Sequence, residues 1–172
     1  MARNLEIKVR VPSLRTPLAV CRRLHAKRAG TLAQKDTYFN VRDGRLKLRE
    51  IRGKVSELIY YRRTNRKGKR YSDYVVIPLK GSEGVKSLCR LLFGTRAIVR
   101  KDRILFLYKN ARIHLDTVAR LGSFVEFEVL VLHGNEQAER LMDFLVLAFG
   151  VVREASVASS YVDLMLKRRR GK

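Results

Sequence analysis

Two short segments near opposite ends of the chain alternate charged and apolar residues. Towards the C-terminal end, Glu126 and Glu128 alternate with valine and phenylalanine. Towards the N-terminal end, Glu6, Lys8 and Arg10 alternate with leucine, isoleucine and valine. Because successive side chains of a β-strand point to opposite faces, the charged groups of each segment share one face. Carboxylates two positions apart on a strand lie roughly 7 Å apart, close enough to bind one small cluster of hard cations.

Basic residues follow the same alternation in the middle of the chain. Arg45, Lys47 and Arg49 share one face of a predicted strand, and Lys101 and Arg103 share one face of another. Ammonium and guanidinium groups bind phosphate oxygens through charge-assisted hydrogen bonds. Carboxylates that hold a divalent metal, facing cations that hold phosphate, would form a site for a metal–oligophosphate complex.

About eight strands, mostly antiparallel, must position these side chains. The predicted strands cover 4–11, 37–41, 45–51, 57–64, 71–79, 96–101, 104–108, 112–118 and 124–132. Asp43-Gly44 predicts a hairpin turn between the second and third of them. Helical spacing of apolar residues predicts a helix over 82–94. Start and stop residues predict two more, over 16–29 between Thr16-Pro17 and Gly30, and over 135–149 between Asn135 and Gly150. Residues 161–166 are left unassigned.

Length and composition indicate one basic domain. The 172 residues carry a formal net charge of +22, which predicts an anionic partner such as a nucleotide, polyphosphate, nucleic acid or an acidic membrane surface. We expect a domain over 1–166 and a solvated basic tail over 167–172. The two cysteines, Cys21 and Cys89, are expected to be reduced. No apolar run is long enough to span a bilayer, so we expect a cytoplasmic protein that does not associate with membranes.

Charges on one face of so many strands are unusual for a half-buried sheet. The arrangement predicts a closed barrel with a charged, hydrated interior, whose apolar exterior is covered by helices. Buried charges of this kind need compensation by bound ions, because unpaired buried charges are costly.

The chain resembles the CYTH superfamily, also called the triphosphate tunnel metalloenzymes, from residue 4 to residue 166. Its strongest motif is an aspartate, a Leu-Gly-x-Phe turn and two alternating glutamates, matched by Asp116, by 121–124, and by Glu126 and Glu128. The opening ExExK motif of the family is matched by Asn4, Glu6 and Lys8. Bacterial class IV adenylyl cyclases resemble the chain most, and thiamine triphosphatases and inorganic triphosphatases are relatives.

The resemblance implies an α+β fold: an eight-stranded antiparallel β-barrel, or tunnel, with helices packed outside. It implies Mg²⁺ or Mn²⁺ as cofactor and a triphosphate substrate such as ATP, tripolyphosphate or thiamine triphosphate. The implied metal ligands are Glu6, Asp116, Glu126 and Glu128. The implied phosphate-binding residues are Lys8, Arg10, Lys47, Arg49, Arg62, Lys101, Arg103 and Arg112. Glu6, Lys8, Glu126 and Glu128 are the expected catalytic residues.

The chain departs from the family pattern at three places. Asn4 replaces the first glutamate of the opening motif, so that position offers an amide oxygen without charge. The middle strand carries Arg62 and Arg63 where many relatives have a lysine, and Ala158 to Tyr161 lacks the lysine of the C-terminal motif.

Several alternatives stay open at the level of sequence. The chemistry is either cyclisation of ATP to cyclic AMP and pyrophosphate or hydrolysis of a triphosphate, since both use the same residues. A non-catalytic module that binds RNA or polyphosphate is a third possibility, supported by the net charge and the basic loop 62–70. Glu126 and Glu128 on a solvent-facing strand edge would be the simplest non-functional explanation. A homodimer is also left open.

Overall fold

The structure is a computed structural model that describes residues 1–64, 67–151 and 155–170. For residues 169 and 170 it describes the backbone alone. The strands are β1 (Ala2–Val11), β2 (Lys27–Phe39), β3 (Arg45–Ile51), β4 (Ser56–Arg63), β5 (Arg70–Leu79), β6 (Thr95–Tyr108), β7 (Ala111–Val118) and β8 (Gly122–Leu130). The helices are α1 (Arg15–Arg23), α2 (Glu83–Phe93), α3 (Asn135–Ala148) and α4 (Tyr161–Arg170).

The strands form a closed barrel in the order β1-β5-β4-β3-β2-β6-β7-β8, and every neighbouring pair is antiparallel. The barrel closes where β1 lies between β5 and β8. In that register Glu6 is opposite Glu128 and Lys8 is opposite Glu126. The predicted α+β fold with an eight-stranded antiparallel barrel is therefore confirmed.

The hydrophobic core lies outside the barrel wall, between the strands and the helices. The largest cluster joins the outer faces of β1, β7 and β8 to α1 and α3, with Ile7, Ile113, Phe127, Met142 and Leu145 almost fully buried. A second cluster packs α4 against β6 and β8, and a third packs α2 against β2 and β3. The apolar faces of the strands point outward, which leaves the charged faces to line the interior.

The first predicted helix is too long. It was expected to run from Thr16 to about Ala29, but α1 ends at Arg23 and β2 starts at Lys27. His25 takes a positive φ of 50°, which ends the helix before Gly30 is reached. The chain then pairs with β6 along nearly the whole of β2, so tertiary pairing overrides the local helical pattern.

Two further boundaries differ from the sequence prediction. The segments 96–101 and 104–108 form one strand, because Asp102 simply faces outward between two inward-facing residues. Residues 161–166, which were left unassigned, begin helix α4, and this helix includes residues 167–170 of the predicted tail. Residues 171 and 172 lie outside the described residues, as do residues 65 and 66 of the basic loop.

The Asp43-Gly44 turn connects β2 to β3 as predicted. Gly44 has a φ of +66°, and a Cβ there would lie 2.7 Å from the hydroxyl oxygen of Tyr60, so both conformation and space favour glycine. Cys21 and Cys89 are buried and free. In the described parts of the chain, no helix is long and apolar enough to cross a membrane.

Candidate functional site

A cavity of about 270 Å³ occupies the interior of the barrel. All eight strands and the N-terminal end of α4 contribute side chains to it. The charged and titratable residues that line it are Glu6, Lys8, Lys47, Arg49, Glu57, Arg63, Lys101, Arg103, Arg112, His114, Glu126 and Glu128. The predicted charged interior is thus present, and it brings both ends of the chain together.

One wall of the cavity groups two carboxylates with an imidazole. The nearest ligand atoms of His114, Glu126 and Glu128 lie within 4.8 Å of one another, so a single ion could reach all three. The Nδ1 atom of His114 is 3.5 Å from Glu126 Oε2 and 3.7 Å from Glu128 Oε1. Cations neutralise the two glutamates: Lys8 Nζ lies 2.8 Å from Glu126, and Arg112 Nη2 lies 2.9 Å from Glu128.

Glu6 lies beside this wall, where two arginines bind it. Arg63 donates to Glu6 Oε1 at 2.7 Å, and Arg70 donates to the same oxygen at 3.3 Å. Arg70 is fully buried and Arg63 has only 2% of its side chain exposed. Because β1 and β8 place Glu6 opposite Glu128, this carboxylate is adjacent to the group of possible metal ligands.

Asp116 is buried behind Arg103. Arg103 makes a bidentate pair with it, with both donor–acceptor distances at 2.7 Å, and also donates to Glu126 at 3.2 Å. The hydroxyl of Tyr161 donates to Asp116 Oδ2 at 2.9 Å. Both carboxylate oxygens of Asp116 are therefore engaged, and its predicted role as a metal ligand stays a prediction.

A second aspartate, Asp36 on β2, binds cations from the two neighbouring strands. Asp36 accepts from Lys47 Nζ at 3.0 Å, from Arg49 Nε at 2.9 Å and from Lys101 Nζ at 3.4 Å. The three cations come from β3 and β6, which flank β2 on either side. They line the cavity together with Gln34 of the same strand as Asp36.

Helix α4 lies across one end of the barrel. Tyr161 lines the cavity, and its ring lies 3.9 Å from Lys8 Nζ and 5.2 Å from Lys101 Nζ. Asp163 pairs with Arg45, the first residue of β3, at 2.8 Å. These contacts place the helix at the end of the barrel where β3 begins.

Apolar side chains line the other part of the cavity. Ile51 is the last residue of β3, so it lies at the end opposite α4. Leu32, Val76 and Leu105 share the cavity with it, as does Tyr74, whose ring faces the Arg112 guanidinium at 6.0 Å. The cavity therefore combines a charged interior with an apolar section.

Burial and charge shift the protonation of these groups. Burial by itself raises the pKa of Glu128, but His114 and Arg112 lower it to about 2. The pKa of Glu126 is likewise well below its usual range, because Lys8 and its other partners more than offset the effect of burial. Burial and Arg103 lower the pKa of His114, so its imidazole is neutral at pH 7. The acidic wall is thus composed of two ionised carboxylates and a neutral ring.

The lysines of the cavity are shifted in the other direction. Burial and the charge of Arg49 lower the pKa of Lys47 to about 7, against the opposing effect of Asp36. Burial and Arg103 lower the pKa of Lys101 to about 8. An anion in the cavity would stabilise the protonated form of both lysines.

Several buried polar atoms of the cavity have no hydrogen-bond partner among the described residues. The acceptors include Asn4 Oδ1 and Gln34 Oε1, and the donors include Arg63 Nε and Arg112 Nε. His114 Nδ1, which faces the two glutamates, is also unpartnered. Buried polar atoms are usually paired, so these atoms fit a polar ligand and a cation. Glu126 and Glu128, with His114, are the residues that could hold a divalent metal.

Most predicted site residues meet in this cavity. Arg10 and Arg62 are the two that lie on the exterior: Arg10 donates to the backbone oxygen of Leu121 and covers the Phe124 ring, and Arg62 pairs with the exposed Asp43. Their predicted phosphate contacts remain predictions without support from this geometry. The sequence analysis did not assign Asp36, Arg70, His114 or Tyr161 to the site. The only sequence signal for Asp36 is its alternation with Gln34 and Tyr38. The predicted strand 37–41 began after Asp36 and so did not include it.

The sequence profile of the CYTH domain family matches residues 2–147. No curated protein sequence is significantly similar to the chain. Among solved structures, a protein from Pyrococcus horikoshii superposes with a TM-score of 0.84 at 23% identity, covering 94% of this chain and 98% of its own.

Two other solved structures are similar in fold. A candidate adenylate cyclase from Vibrio parahaemolyticus superposes with a TM-score of 0.78 at 16% identity, covering 96% of this chain and 99% of its own. A candidate adenylyl cyclase from Hippeastrum, described as having a dominant triphosphatase activity, gives a TM-score of 0.68 at 15% identity and covers 98% of this chain and 96% of its own.

Proposed function

The chain belongs to the CYTH domain family, and from that premise we propose that it is a divalent-metal-dependent enzyme that binds a nucleoside triphosphate inside its barrel and converts ATP to cyclic AMP and pyrophosphate, as class IV adenylyl cyclases do. The observation that carries the proposal is the cavity itself. It sets the buried Glu126, the partly buried Glu128 and an unpartnered imidazole nitrogen beside a set of inward-facing cations. A metal–triphosphate complex carries both kinds of charge, so its metal could bind the carboxylates while its phosphate groups bind the cations.

The cations are the proposed triphosphate-binding groups. They line the cavity from five strands: Lys8 on β1, Lys47 and Arg49 on β3, Arg63 on β4, Lys101 and Arg103 on β6, and Arg112 on β7. Guanidinium groups suit phosphate because their planar fork can bind two oxygens at once. Held in this way, the phosphate chain would be fixed in one orientation, and negative charge that develops on the leaving pyrophosphate would be stabilised.

Glu126 and Glu128, with His114 Nδ1, are the proposed metal ligands, and Glu6 is adjacent to them. Mg²⁺ or Mn²⁺ bound there would polarise the phosphoryl oxygens and lower the pKa of the attacking hydroxyl. Oxygen donors dominate this set, which suits both ions. Asn4 could add an amide oxygen, since its Oδ1 is buried and unpartnered.

The apolar section of the cavity supports an organic group on the substrate. Leu32, Ile51, Val76 and Leu105 would contact a base or another ring attached to the triphosphate, and Tyr74 could stack on it. Inorganic tripolyphosphate would leave these side chains without a partner. Attack of the ribose 3′-hydroxyl on the α-phosphorus, with loss of pyrophosphate, is the cyclase reaction.

A triphosphatase is the second candidate. The same charged residues would serve if water attacked the terminal phosphorus, and the similar protein from Hippeastrum is described as having a dominant triphosphatase activity. Nothing in the cation set requires a ribose hydroxyl as the nucleophile. The two candidates therefore differ in products, which can be measured directly.

The first experiment compares wild type with Glu128→Gln in a single assay. Release of phosphate, pyrophosphate and cyclic AMP is measured from ATP and from tripolyphosphate with Mg²⁺ or Mn²⁺. We expect metal-dependent turnover by the wild type and a loss of at least about 100-fold in the variant, since a ligand charge is removed. Glu136→Gln is the matched control, because Glu136 is exposed on α3 and does not line the cavity.

The products then decide between the candidates. Cyclic AMP with pyrophosphate identifies the cyclase, whereas phosphate release from either substrate identifies the triphosphatase. Absence of turnover with every substrate and metal, in a wild-type protein that is folded, would exclude an enzyme of either kind. Equal activity of Glu128→Gln and wild type would exclude the proposed metal site.

A further inference from the structure

Asp36 differs from the other carboxylates of the barrel in what it faces. It is 1% exposed and lies at the centre of three cations, yet it does not itself line the cavity, whereas all three cations do. Asp36 is therefore behind its partners, between them and the barrel wall. A ligand in the cavity would meet Lys47, Arg49 and Lys101, and the carboxylate would stay on their far side.

This geometry does more than neutralise charge. Asp36 Oδ2 accepts from both lysines, and Oδ1 accepts from Arg49 Nε, so one rigid carboxylate fixes three long side chains from two strands. Lysine and arginine side chains lose considerable rotational freedom when they bind a ligand. Fixing them beforehand removes that cost from binding.

We propose that Asp36 is a positioning residue for triphosphate binding: it holds Lys47, Arg49 and Lys101 in a phosphate-binding arrangement. The inference rests on the proposed function, because it assumes that phosphate groups occupy the cavity. It adds a residue that touches no substrate and acts only through the cations in front of it.

Lys47 is the partner most dependent on Asp36. The groups that face its ammonium are Asp36 and Tyr38 from β2, Arg49 from β3, Tyr61 from β4 and Lys101 from β6. Asp36 is the only carboxylate in this set. Arg49 and Lys101 both disfavour the charged lysine, and burial acts in the same direction. Removal of the carboxylate should therefore favour neutral Lys47 near neutral pH.

The test measures metal-free binding of tripolyphosphate by calorimetry from about pH 5.5 to 8.5, in buffers with different heats of ionisation. In the wild type, affinity should begin to fall near pH 7, where Lys47 loses its proton. In Asp36→Asn this fall should begin at lower pH, with proton uptake on binding already present at pH 6. Each unit of displacement should cost about tenfold in affinity at high pH. Titration of the ligand itself is common to all variants.

Two further variants make the result specific. Asp102→Asn, on β6 next to Lys101 but exposed on the outer face, should behave as wild type. Lys47→Arg places a permanent charge at position 47, so the double variant Asp36→Asn/Lys47→Arg should recover affinity at pH 8 relative to Asp36→Asn. If Asp36→Asn does not fold, Lys47→Arg alone carries the test, because it should abolish the fall that starts near pH 7.

The outcomes separate this inference from the function on which it rests. Wild-type binding with the same pH profile in Asp36→Asn, or a fall near pH 7 that persists in Lys47→Arg, would overturn the role of Asp36 while leaving the proposed function intact. Absence of tripolyphosphate binding by the wild type at every pH would overturn the proposed function, and the inference with it.

Discussion

Glu126 and Glu128 show how individual charged side chains can be buried in this protein. Each is held beside at least one cation at 2.8–2.9 Å, and the resulting attraction offsets the loss of hydration. The compensation is reciprocal, because Lys8 and Arg112 are themselves largely buried. Removing one member of such a pair is therefore expected to cost more than replacing both.

Glu128 should make the protein sensitive to acid. Its pKa is lowered to about 2 from an unfolded value of 4.5, so its contribution to stability is complete above pH 4.5 and is lost as the pH falls towards 2. Urea unfolding from pH 7 to pH 3 should show a shallower loss of stability in Glu128→Gln than in wild type. Parallel pH profiles for the two proteins would contradict this expectation, and Glu136→Gln again serves as the exposed control.

The sequence predicts some of these residues better than others, for a physical reason. Alternation around Glu126 and Glu128 is unmistakable, because the intervening residues are buried in the outer core. Asp36 gives no such signal, because its role depends on cations that reach it from β3 and β6. The register between strands determines which cation faces which carboxylate, and this register cannot be read from a single sequence.

At the scale of single elements, α4 shows how a short helix can be fixed at the edge of a site. Its N-terminus carries a capping box: the Ser160 backbone N–H and hydroxyl both donate to Asp163 Oδ2, and the Asp163 N–H donates to Ser160 Oγ. Arg45 binds the same carboxylate. The cap thus connects the start of the helix to the start of β3.

Ser160→Ala should loosen this helix. Loss of the cap is expected to lower the free energy of unfolding by about 1 kcal/mol and to increase hydrogen exchange over 161–168. Ser159→Ala is the matched control, since none of the described capping bonds involves its hydroxyl. Unchanged exchange over α4 in Ser160→Ala would show that Arg45 and the buried Tyr161 hold the helix without the cap.

The same scale shows where element prediction succeeds and fails. The strand over 45–51 is recovered to the residue, because a glycine turn and strict alternation define it. β2 is missed over its first ten residues, since Lys27 to Asp36 has no clear alternation and is extended only through its pairing with β6. Pairing between distant segments routinely overrides local preference.

At the scale of the whole molecule, the net charge of +22 and the charged cavity are separate features. Many of the basic residues are exposed on the outside, among them Arg15, Arg22, Arg100 and Arg120. Exposed cations bind polyanions without specificity and in a salt-dependent manner. The cavity, in contrast, has buried ion pairs such as Lys8–Glu126 and Arg103–Asp116, which salt screens much less.

Single-stranded RNA should therefore bind with little sequence specificity, and its affinity should not depend on the proposed metal ligands Glu126, Glu128 and His114. We expect its affinity to fall steeply between about 50 and 200 mM salt, with a slope of about −0.7 per phosphate contacted. Fluorescence anisotropy with wild type and Glu128→Gln should give the same curve, whereas Arg100→Ser/Arg120→Ser should bind less. A large change of RNA affinity in Glu128→Gln would instead place RNA in the cavity and contradict this expectation.

The closure of the barrel by β1 and β8 has a consequence for how the protein is made. Lys8 and Glu6 lie opposite Glu126 and Glu128, so the acidic wall is assembled from the first and last strands of the barrel. A chain emerging from the ribosome must keep β1 without its β8 partner until the final strand has been synthesised, and such long-range pairing is slow to form. The nascent protein therefore acquires its acidic wall in the last step of barrel assembly, and binding of a ligand there reports that the barrel has closed.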